Sequence, residues 1–282
     1  MCQAQTGGLL YNGGMNGHPF ITSRDNPLVK QARALRQRKK RLETGLFLVE
    51  GIHHVGEAVE AGWLVETLIY APDLLKSGFA NQLVSEQSKR GLNCHPVSVQ
   101  VMELLAEKDN PQGILAIVRQ KLWRLADLNT QKFRWGVAVV SVQDPGNIGA
   151  ILRTIDAVGA DGLILLEGGT DPYHPTAVRA SMGTLFWKPV VAASFIEFIH
   201  WAHAQGYWLV GSSAHAATDY RSIRFGDRPA ILVLGSEQKG LASEQMSACD
   251  ILVALPMRGR ATSLNLAVAA GVLLYAFIAD ER

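Results

Sequence analysis

The sequence predicts an α/β protein of two domains, the second of which is a doubly wound parallel sheet. Its 282 residues exceed the usual size of a single domain. From Trp135 onward, six short apolar runs bounded by Gly, Pro or Asp alternate with helical segments. Near-continuous apolar runs are typical of parallel strands that are buried on both faces. Before Val118, shorter β-like runs alternate with helices in a separate pattern, which indicates a smaller α/β domain.

The chain is predicted to contain four segments. Residues 1–23, rich in Gly and Asn, should form a flexible tail. Residues 24–119 form the first domain, residues 120–133 a linker, and residues 134–282 the sheet domain. The predicted strands of the sheet domain are WGVAVVSV, GLILL, PVVAAS, YWLVGSS, AILVLG and DILVAL. Because ligands of such sheets bind at the carboxyl ends of strands, function should lie in the loops that follow the strands.

Composition excludes several classes of protein. Hydrophobic residues make up 48% of the chain and charged residues 18%, as in ordinary globular proteins. No apolar run is as long as a transmembrane helix, and the N terminus lacks the pattern of a secretory signal. The three cysteines are odd in number and far apart, which argues against a disulfide framework. We therefore expect a cytoplasmic protein with no membrane partner.

The first ordered element is predicted to be a basic helix, capped by Asn26 and ended by Gly45. Its buried face would consist of four apolar residues at helical spacing: Leu28, Ala32, Leu35 and Leu42. Seven Lys or Arg and no acid lie between Asn26 and Arg41. A run of positive charges without acidic residues favours contacts with phosphate groups. The alternative is a helix whose charged surface is only solvated. The residues predicted to bind RNA are Arg33, Arg36, Lys39, Lys40 and Arg41.

The loop after the first strand of the second domain opens the stretch QDPGNIGAILRT. A helix is expected to begin here at Asn147. Four apolar residues at i, i+3, i+4 and i+7 should face the sheet: Ile148, Ile151, Leu152 and Ile155. Arg153 lies off this stripe. Its position is consistent with a surface ion pair to Asp156 and equally with a functional role.

Two further loops carry polar residues next to strand ends. LVLGSEQKGL resembles a phosphate-binding loop in spacing, but neither lysine nor hydroxyl follows Gly240, which excludes that type of site. In LPMRGRATSLNLAVAAG, a helix is expected to begin near Ser263, with Thr262 or Ser263 as its cap. Arg258 and Arg260 lie at the tip of this loop, where they would contact a phosphate, a carboxylate or only solvent.

Three ordered blocks, NIGAILRT, LVLGSEQKGL and LPMRGRATSLNLAVAAG, resemble the SpoU family of RNA ribose 2′-O-methyltransferases within the SPOUT superfamily. DPYHPTAVRASMGTLFWKPV, LFLVEG and NPQGILAIV support the resemblance, which covers nearly all of residues 26–282. It implies a C-terminal domain with a deep trefoil knot, a ribosomal-protein-like RNA-binding domain before it, and a homodimer. It also implies S-adenosylmethionine as cofactor, no metal, and RNA as substrate, with large-subunit ribosomal RNA favoured over transfer RNA.

The resemblance also assigns roles to residues. The cofactor would lie among Ser212, Leu234, Gly235, Leu255 and Leu264. The catalytic residues would be Arg153, Asn147, Glu237, Ser263 and Asn265. A ribose 2′-hydroxyl is a weak nucleophile that must lose its proton as it attacks the methyl group. Arg153 would accept that proton or, because a guanidinium stays protonated near neutral pH, would orient the hydroxyl and stabilise its developing charge while a phosphate or water takes the proton.

The resemblance assigns broader roles to the other four catalytic residues, and two alternative functions remain for the whole protein. Asn147 would fix the arginine loop or contact the ribose, and Glu237 would orient Arg153 or its own loop. Ser263 and Asn265 would bond substrate or loop backbone. The alternatives are a transfer RNA 2′-O-methyltransferase and a non-catalytic RNA-binding or ribosome-assembly factor of the same fold. A non-catalytic factor would be expected to lack one or more of Asn147, Arg153, Glu237 and Asn265, and all four residues are present.

Overall fold

A computed structural model of the chain describes residues 18–107 and 109–278. The predicted flexible tail, as far as residue 17, lies outside these residues. The chain divides into two compact units, with the boundary between Gln120 and Lys121. In the described ranges, no helix is both long enough and apolar enough to cross a membrane.

The first unit is built on a four-stranded sheet. Its elements in chain order are α1 (Pro27–Ala34), α2 (Arg38–Thr44), β1 (Leu46–Glu50), α3 (Ile52–Glu60), β2 (Val65–Tyr70), α4 (Gly78–Lys89), β3 (Asn93–Pro96), α5 (Val99–Leu105) and β4 (Ile114–Arg119). The strand order is β1-β4-β2-β3, in which β4 is antiparallel to β1 and β2, and β3 is parallel to β2. The predicted alternation of short strands and helices before Val118 is confirmed.

The N-terminal segment pairs with the edge of this sheet. The backbone N–H of Ile21 donates to the carbonyl of Pro96 at 2.9 Å, and its carbonyl accepts from the N–H of Ser98 at 2.9 Å. Ile21 is buried, and the ring of His18 lies 4.1 Å from that of His95. The prediction of a flexible tail is therefore wrong for the last residues of the range 1–23, because their backbone extends the sheet.

The predicted single basic helix is two helices, because the chain turns after Leu35. Asn26 caps α1 as predicted, since its side chain accepts a hydrogen bond from a backbone N–H of the first turn at 2.9 Å. Leu42 on α2 is 67% exposed, so the prediction that it lines the buried face is wrong. The turn interrupts the helical periodicity, which leaves Leu42 in solvent and buries Arg41 in its place.

Two of the cations predicted to bind RNA hold the first unit together instead. Arg41 is 1% exposed, and its guanidinium donates to the carbonyls of Leu35 and Arg36 at 2.9 and 2.8 Å, beyond the end of α1. Arg36 donates to three carbonyls at the end of α5, those of Leu104, Leu105 and Ala106. Carbonyls at a helix C terminus lack intrahelical partners, which a guanidinium supplies. The prediction that Arg41 contacts RNA is therefore wrong. The guanidinium of Arg36 is occupied by hydrogen bonds within the first unit.

The second unit contains a seven-stranded parallel sheet. After a 3₁₀ turn (Leu125–Asp127), its elements are β5 (Trp135–Val140), α6 (Pro145–Ala157), β6 (Leu163–Leu166), α7 (Pro175–Ala180), α8 (Thr184–Trp187), β7 (Val190–Ala193), α9 (Phe195–Ala204), β8 (Trp208–Ser212), β9 (Thr218–Asp219), β10 (Ala230–Leu234), α10 (Ser243–Ser247), β11 (Ile251–Ala254) and α11 (Leu266–Phe277). The strand order is β7-β6-β5-β10-β8-β11-β9, and every neighbouring pair is parallel. All six predicted strands are confirmed, and the two-residue β9 was not predicted.

Helices cover both faces of this sheet. Phe198 and Ala202 of α9 pack with alternate strand residues such as Ile164 and Ile231 on one face. The predicted apolar stripe of α6 is fully buried, and α6 packs against both α7 and α11. Successive residues of a strand point to opposite faces, so a sheet covered in this way is apolar along each strand. The prediction of a parallel α/β unit is confirmed.

The segment predicted to be a linker, residues 120–133, is packed on the second unit. Trp123 forms a bridge with Val191 of β7, and the side chains of Leu128 and Phe133 are buried. The segment thus joins the two units in sequence but forms part of the apolar core of the second unit from Trp123 onward.

Candidate active site

A pocket of about 410 Å³ opens at the carboxyl ends of β8, β10 and β11. These three strands are neighbours in the parallel sheet, so the loops that follow them meet at one edge. All five residues predicted to surround the cofactor line this pocket: Ser212, Leu234, Gly235, Leu255 and Leu264. Two of the predicted catalytic residues, Glu237 and Ser263, line it as well.

The pocket wall also contains residues that sequence reasoning missed. Leu241, Met246 and Met257 add apolar surface, and His215 adds an imidazole. Met246 reaches the pocket from α10, a five-residue helix with no motif of its own, so no sequence signal indicated it. Leucine and methionine side chains therefore line the pocket together with a nearly equal number of polar residues, a mixture that suits a small organic ligand with both apolar and polar parts.

The loop after β10 folds tightly back over the end of its strand. Ser236 and Gly240 exchange two backbone hydrogen bonds of 3.1 and 2.9 Å. A Cβ on Gly235 would lie 2.0 Å from the carbonyl carbon of Gly240 and 2.2 Å from the nitrogen of Leu241. No side chain fits between these backbone atoms, so the loop can close only over a glycine.

Three hydrogen-bonded side chains connect the loops that follow β5, β10 and β11, which are called the first, second and third loops below. Asn147 Nδ2 donates to the carboxylate of Glu237 at 3.0 Å, and Asn265 Nδ2 donates to Asn147 Oδ1 at 3.0 Å. Asn265 Oδ1 in turn accepts from the N–H groups of Ala267 and Val268 at 2.9 and 3.2 Å. A carboxylate only accepts and a backbone N–H only donates, so the orientation of both amides is determined from both ends. Asn147 is therefore the link between the second and third loops.

Helix α6 begins at Pro145 and not, as predicted, at Asn147. The carboxylate of Asp144 accepts from the N–H of Gly146 at 2.8 Å and caps the helix, and a proline is favourable in the first helical turn. Because Asp144 supplies the cap, the amide of Asn147 is available for the two neighbouring loops. Asn147 is only 5% exposed, and a buried amide of this kind needs such partners.

Helix α11 begins at Leu266, later than the predicted start near Ser263. Asn265 is its cap, because its amide oxygen accepts from the N–H groups of Ala267 and Val268, so neither Thr262 nor Ser263 caps the helix as predicted. Thr262 and Ser263 remain in the loop, where both line the pocket. The hydroxyls predicted to cap the helix are therefore placed beside the ligand site.

Glu237 holds the first loop and, among the described residues, forms no ion pair with Arg153. Both carboxylate oxygens accept from the backbone N–H of Gln143 at 3.3 Å, in addition to the bond from Asn147. Arg153 is exposed on α6 and lies outside the pocket lining. Within the described residues Arg153 forms neither a hydrogen bond nor an ion pair, and the carboxylate of Asp156 lies 4.0 Å from Lys188 Nζ instead.

The thiol nearest to this sheet edge is unreactive. Cys249 packs behind β8, with its sulfur 2.8 Å from the position that a Cβ on Gly211 would take. Burial, together with the smaller effect of the neighbouring Asp250 carboxylate, raises the pKa of the Cys249 thiol to about 12. A thiol that stays protonated is a poor nucleophile, so the chemistry of the site belongs to the loops.

The fold and the site define a class of α/β protein. Its parallel-sheet unit forms a pocket for a small molecule where loops at the carboxyl ends of the strands are hydrogen-bonded to one another. Family comparison narrows this class. Residues 135–275 match the SpoU rRNA Methylase family, and residues 26–116 match the MRM3-like substrate binding domain. The chain therefore belongs to the SpoU family of RNA 2′-O-methyltransferases, as the three loop blocks indicated.

Relatives match over nearly the whole chain. The 23S rRNA (uridine(2479)-2′-O)-methyltransferase of Streptomyces viridochromogenes is 35% identical over 90% of both chains. The 23S rRNA (guanosine(2553)-2′-O)-methyltransferase RlmP of Bacillus subtilis is 29% identical over 90% of this chain and 97% of its own. The crystal structure of an AdoMet-bound rRNA methyltransferase from Sinorhizobium meliloti superposes with a TM-score of 0.85 at 38% identity, covering 94% of this chain and 98% of that one.

Proposed function

We propose that the chain transfers the methyl group of S-adenosylmethionine to a ribose 2′-oxygen of 23S rRNA. The observation that carries this proposal is the pocket at the ends of β8, β10 and β11, beside which Asn147 ties the loop after β10 to the loop after β11. The relatives from S. viridochromogenes and B. subtilis act, by name, on 23S rRNA, and the S. meliloti relative binds AdoMet. A cytoplasmic location remains a prediction.

The residues of the pocket fit this cofactor. The volume of about 410 Å³ lies within the ~300–1,000 Å³ of typical ligand sites. Leu234, Leu255 and Leu264 would contact the adenine, the closely approached backbone at Gly235 would hydrogen-bond the cofactor, and Ser212 would bond its sugar. When bound, S-adenosylmethionine supplies an electrophilic methyl group on a sulfonium centre, which is an excellent leaving group.

The polar residues would orient the attacking ribose. Asn147, fixed by Glu237 and Asn265, would keep the second and third loops at a constant separation around the reacting groups. Ser263 would bond the substrate or the loop backbone. For Arg153 we favour stabilisation of the charge that develops on the 2′-oxygen, because a guanidinium stays protonated near neutral pH. The proton of the 2′-hydroxyl would then pass to water or to an RNA phosphate.

A homodimer is supported by the exposed side of α11. All twelve residues of this helix are uncharged, and a helix that is apolar on every side is normally buried on every side. Four apolar side chains on α11 and its preceding loop are nevertheless 38–54% exposed: Leu264, Val268, Val272 and Tyr275. We propose that a second copy of the chain covers this stripe. Since α11 packs on α6, Arg153 would then lie close to the interface and could serve the pocket of the partner.

Val272→Glu should convert the dimer into monomers, because it places a charge in the middle of the exposed α11 stripe. The measurement is sedimentation velocity of both proteins at equal concentration. Ile196→Glu is the matched control, since Ile196 is an exposed aliphatic residue at 68% on α9, which packs on the opposite face of the sheet. A monomeric wild-type chain, or a Val272→Glu variant that stays dimeric, would exclude this interface.

The first unit is proposed to bind the RNA through the cations that remain exposed on α1 and α2. These include Arg33, Lys39 and Lys40, whereas Arg36 and Arg41 bond helix ends. Lys39 is 81% exposed at its side chain, and Lys40 lies 2.7 Å from Glu43. Exposed cations can exchange weak surface pairs for phosphate at little cost.

Arg41→Met should lower the free energy of unfolding by about 1.5–3 kcal/mol, the usual worth of hydrogen bonds to a buried charged group. Arg33→Gln and Lys39→Gln should change stability by less than about 0.5 kcal/mol but should weaken RNA binding and reduce its salt dependence. Urea unfolding and filter binding separate the two effects. A loss of RNA affinity in Arg41→Met without a loss of stability would contradict this division of the cations.

We propose further that the second unit contains the trefoil knot of its family. Two features support threading of the C-terminal segment: β10 is inserted between β5 and β8, and α11 returns to pack on α6. A chain pulled from its ends would then keep a tightened knot and would fall short of the ~3.3–3.6 Å per residue of an extended chain. Full extension in an optical trap would rule the knot out.

The substrate class is tested by fractionation of methylated RNA. Total RNA from cells that lack this methyltransferase is incubated with the protein and S-adenosylmethionine labelled in the methyl group, and 23S, 16S and transfer RNA are then separated. We expect label in 23S rRNA. Label confined to transfer RNA would favour the alternative substrate, and no label in any fraction would favour the non-catalytic factor.

A further inference from the structure

We propose that Lys239, Arg258 and Arg260 form a clamp for the RNA phosphates that flank the target ribose, at the mouth of the pocket. The inference rests on the proposed function, because it states how the same site takes its RNA. It also gives a role to the two arginines of the third loop, for which the sequence left an anion and solvent as alternatives.

The position of the three cations is the first argument. Lys239 lies in the loop after β10 and lines the pocket itself. Arg258 and Arg260 lie in the loop after β11, between Met257 and Thr262, and both of these residues line the pocket. All three cations are exposed. Two loops on the same edge of the sheet therefore present cations around one opening.

The charge balance at this opening is the second argument. Glu237 is the only carboxylate among the described residues that line the pocket, and Asn147 and the N–H of Gln143 already occupy it. Within the described part of the chain, neither Lys239 nor the two arginines form an ion pair, whereas surface charges elsewhere often do, as Lys40 does with Glu43. The mouth of the pocket therefore carries an excess of positive charge.

S-adenosylmethionine and RNA differ in charge, and this difference indicates which of them the three cations bind. S-adenosylmethionine carries a sulfonium and an ammonium group against one carboxylate, so three additional cations do not complement it. Every internal ribose of an RNA chain has a phosphate on each side, and arginine binds phosphate through two parallel hydrogen bonds. Cations on two separate loops that border the same pocket are therefore suited to the phosphates on either side of one nucleotide.

The test uses Lys239→Gln, Arg258→Gln, Arg260→Gln and the triple variant, with a 23S rRNA transcript as the probe. The dissociation constant is measured from low to moderate salt. Each single change should reduce the slope of log affinity against log salt by about 0.7–0.9, the value for one lost phosphate contact. Lys132→Gln is the matched control, because Lys132 is exposed and precedes β5, at the opposite end of the strands. Calorimetry should give unchanged affinity for S-adenosylmethionine in Arg258→Gln and Arg260→Gln, because both arginines lie outside the pocket lining.

Three results would overturn the clamp. They are an unchanged salt slope in the triple variant, a slope that changes equally in Lys132→Gln, and a loss of cofactor affinity in place of RNA affinity. The proposed function is tested separately by methyl transfer from the wild-type protein to the same transcript. A wild-type protein that binds the transcript through these cations but transfers no methyl group would contradict the proposed function and leave the clamp in place.

Discussion

Arg153→Ala should reduce the rate of methyl transfer by about a hundredfold or more, the usual loss when a donor to a developing negative charge is removed. The affinity for S-adenosylmethionine should stay within about twofold, because Arg153 lies outside the pocket lining. Neither the fold nor the loops should change, since Arg153 is exposed and bonds to no other described residue. Single-turnover rates with saturating RNA, together with calorimetric titration of the cofactor, measure both quantities.

Arg153→Lys is the control that separates charge from geometry. A lysine keeps the positive charge but loses the planar fork of donors, so partial recovery of rate would indicate a role in charge stabilisation. Sedimentation of both variants is required, because Arg153 is proposed to lie close to the interface between two copies. Wild-type turnover in Arg153→Ala would remove this residue from the mechanism.

Gly235→Ala should weaken cofactor binding by roughly tenfold to hundredfold and reduce methyl transfer at low cofactor concentration. The added methyl group would overlap the backbone of Gly240 and Leu241 at 2.0 and 2.2 Å, and backbone cannot move aside as a flexible side chain can. Forced overpacking of this kind costs about 1–3 kcal/mol, and each 1.4 kcal/mol corresponds to tenfold in affinity. The loop after β10 would therefore open and lose its contact with the ligand.

Gly259→Ala is the matched control for this change. Gly259 lies in the loop after β11, and a Cβ there would meet nothing within 4 Å. Calorimetric titration should give wild-type cofactor affinity for Gly259→Ala. Equal affinities for Gly235→Ala and the wild-type protein would show that the closed loop over the end of β10 is not needed for the pocket.

The strands of the second unit were predictable because burial on both faces leaves a local signal. Each run is almost continuously apolar, and the stripe of α6 that begins at Ile148 follows helical spacing. The starts of α6 and α11 were not predictable from the same information. Asp144 and Asn147, like Ser263 and Asn265, are all good capping residues, and only the packed loops decide which of them caps the helix.

Hydrogen bonds between residues far apart in the sequence explain the features of the site and of the first unit that the sequence did not predict. The hydrogen bond between Asn265 and Asn147 joins residues 118 positions apart, so no local pattern indicates it. The burial of Arg41 has a similar origin, since it depends on a turn after Leu35 within a sequence that reads as one continuous helix. The sequence does not distinguish a cation that bonds backbone carbonyls from an exposed cation that can bind phosphate, because the difference depends on the surrounding backbone.

The most direct measurement identifies the atom that receives the methyl group. RNA labelled by the protein with methyl-labelled S-adenosylmethionine is hydrolysed with alkali, which cleaves after every ribose that keeps a free 2′-hydroxyl. We predict that the label is recovered in alkali-resistant dinucleotides and, after complete digestion, in a 2′-O-methylnucleoside. Label in alkali-sensitive mononucleotides, as expected for a methylated base, would contradict ribose methylation at this site.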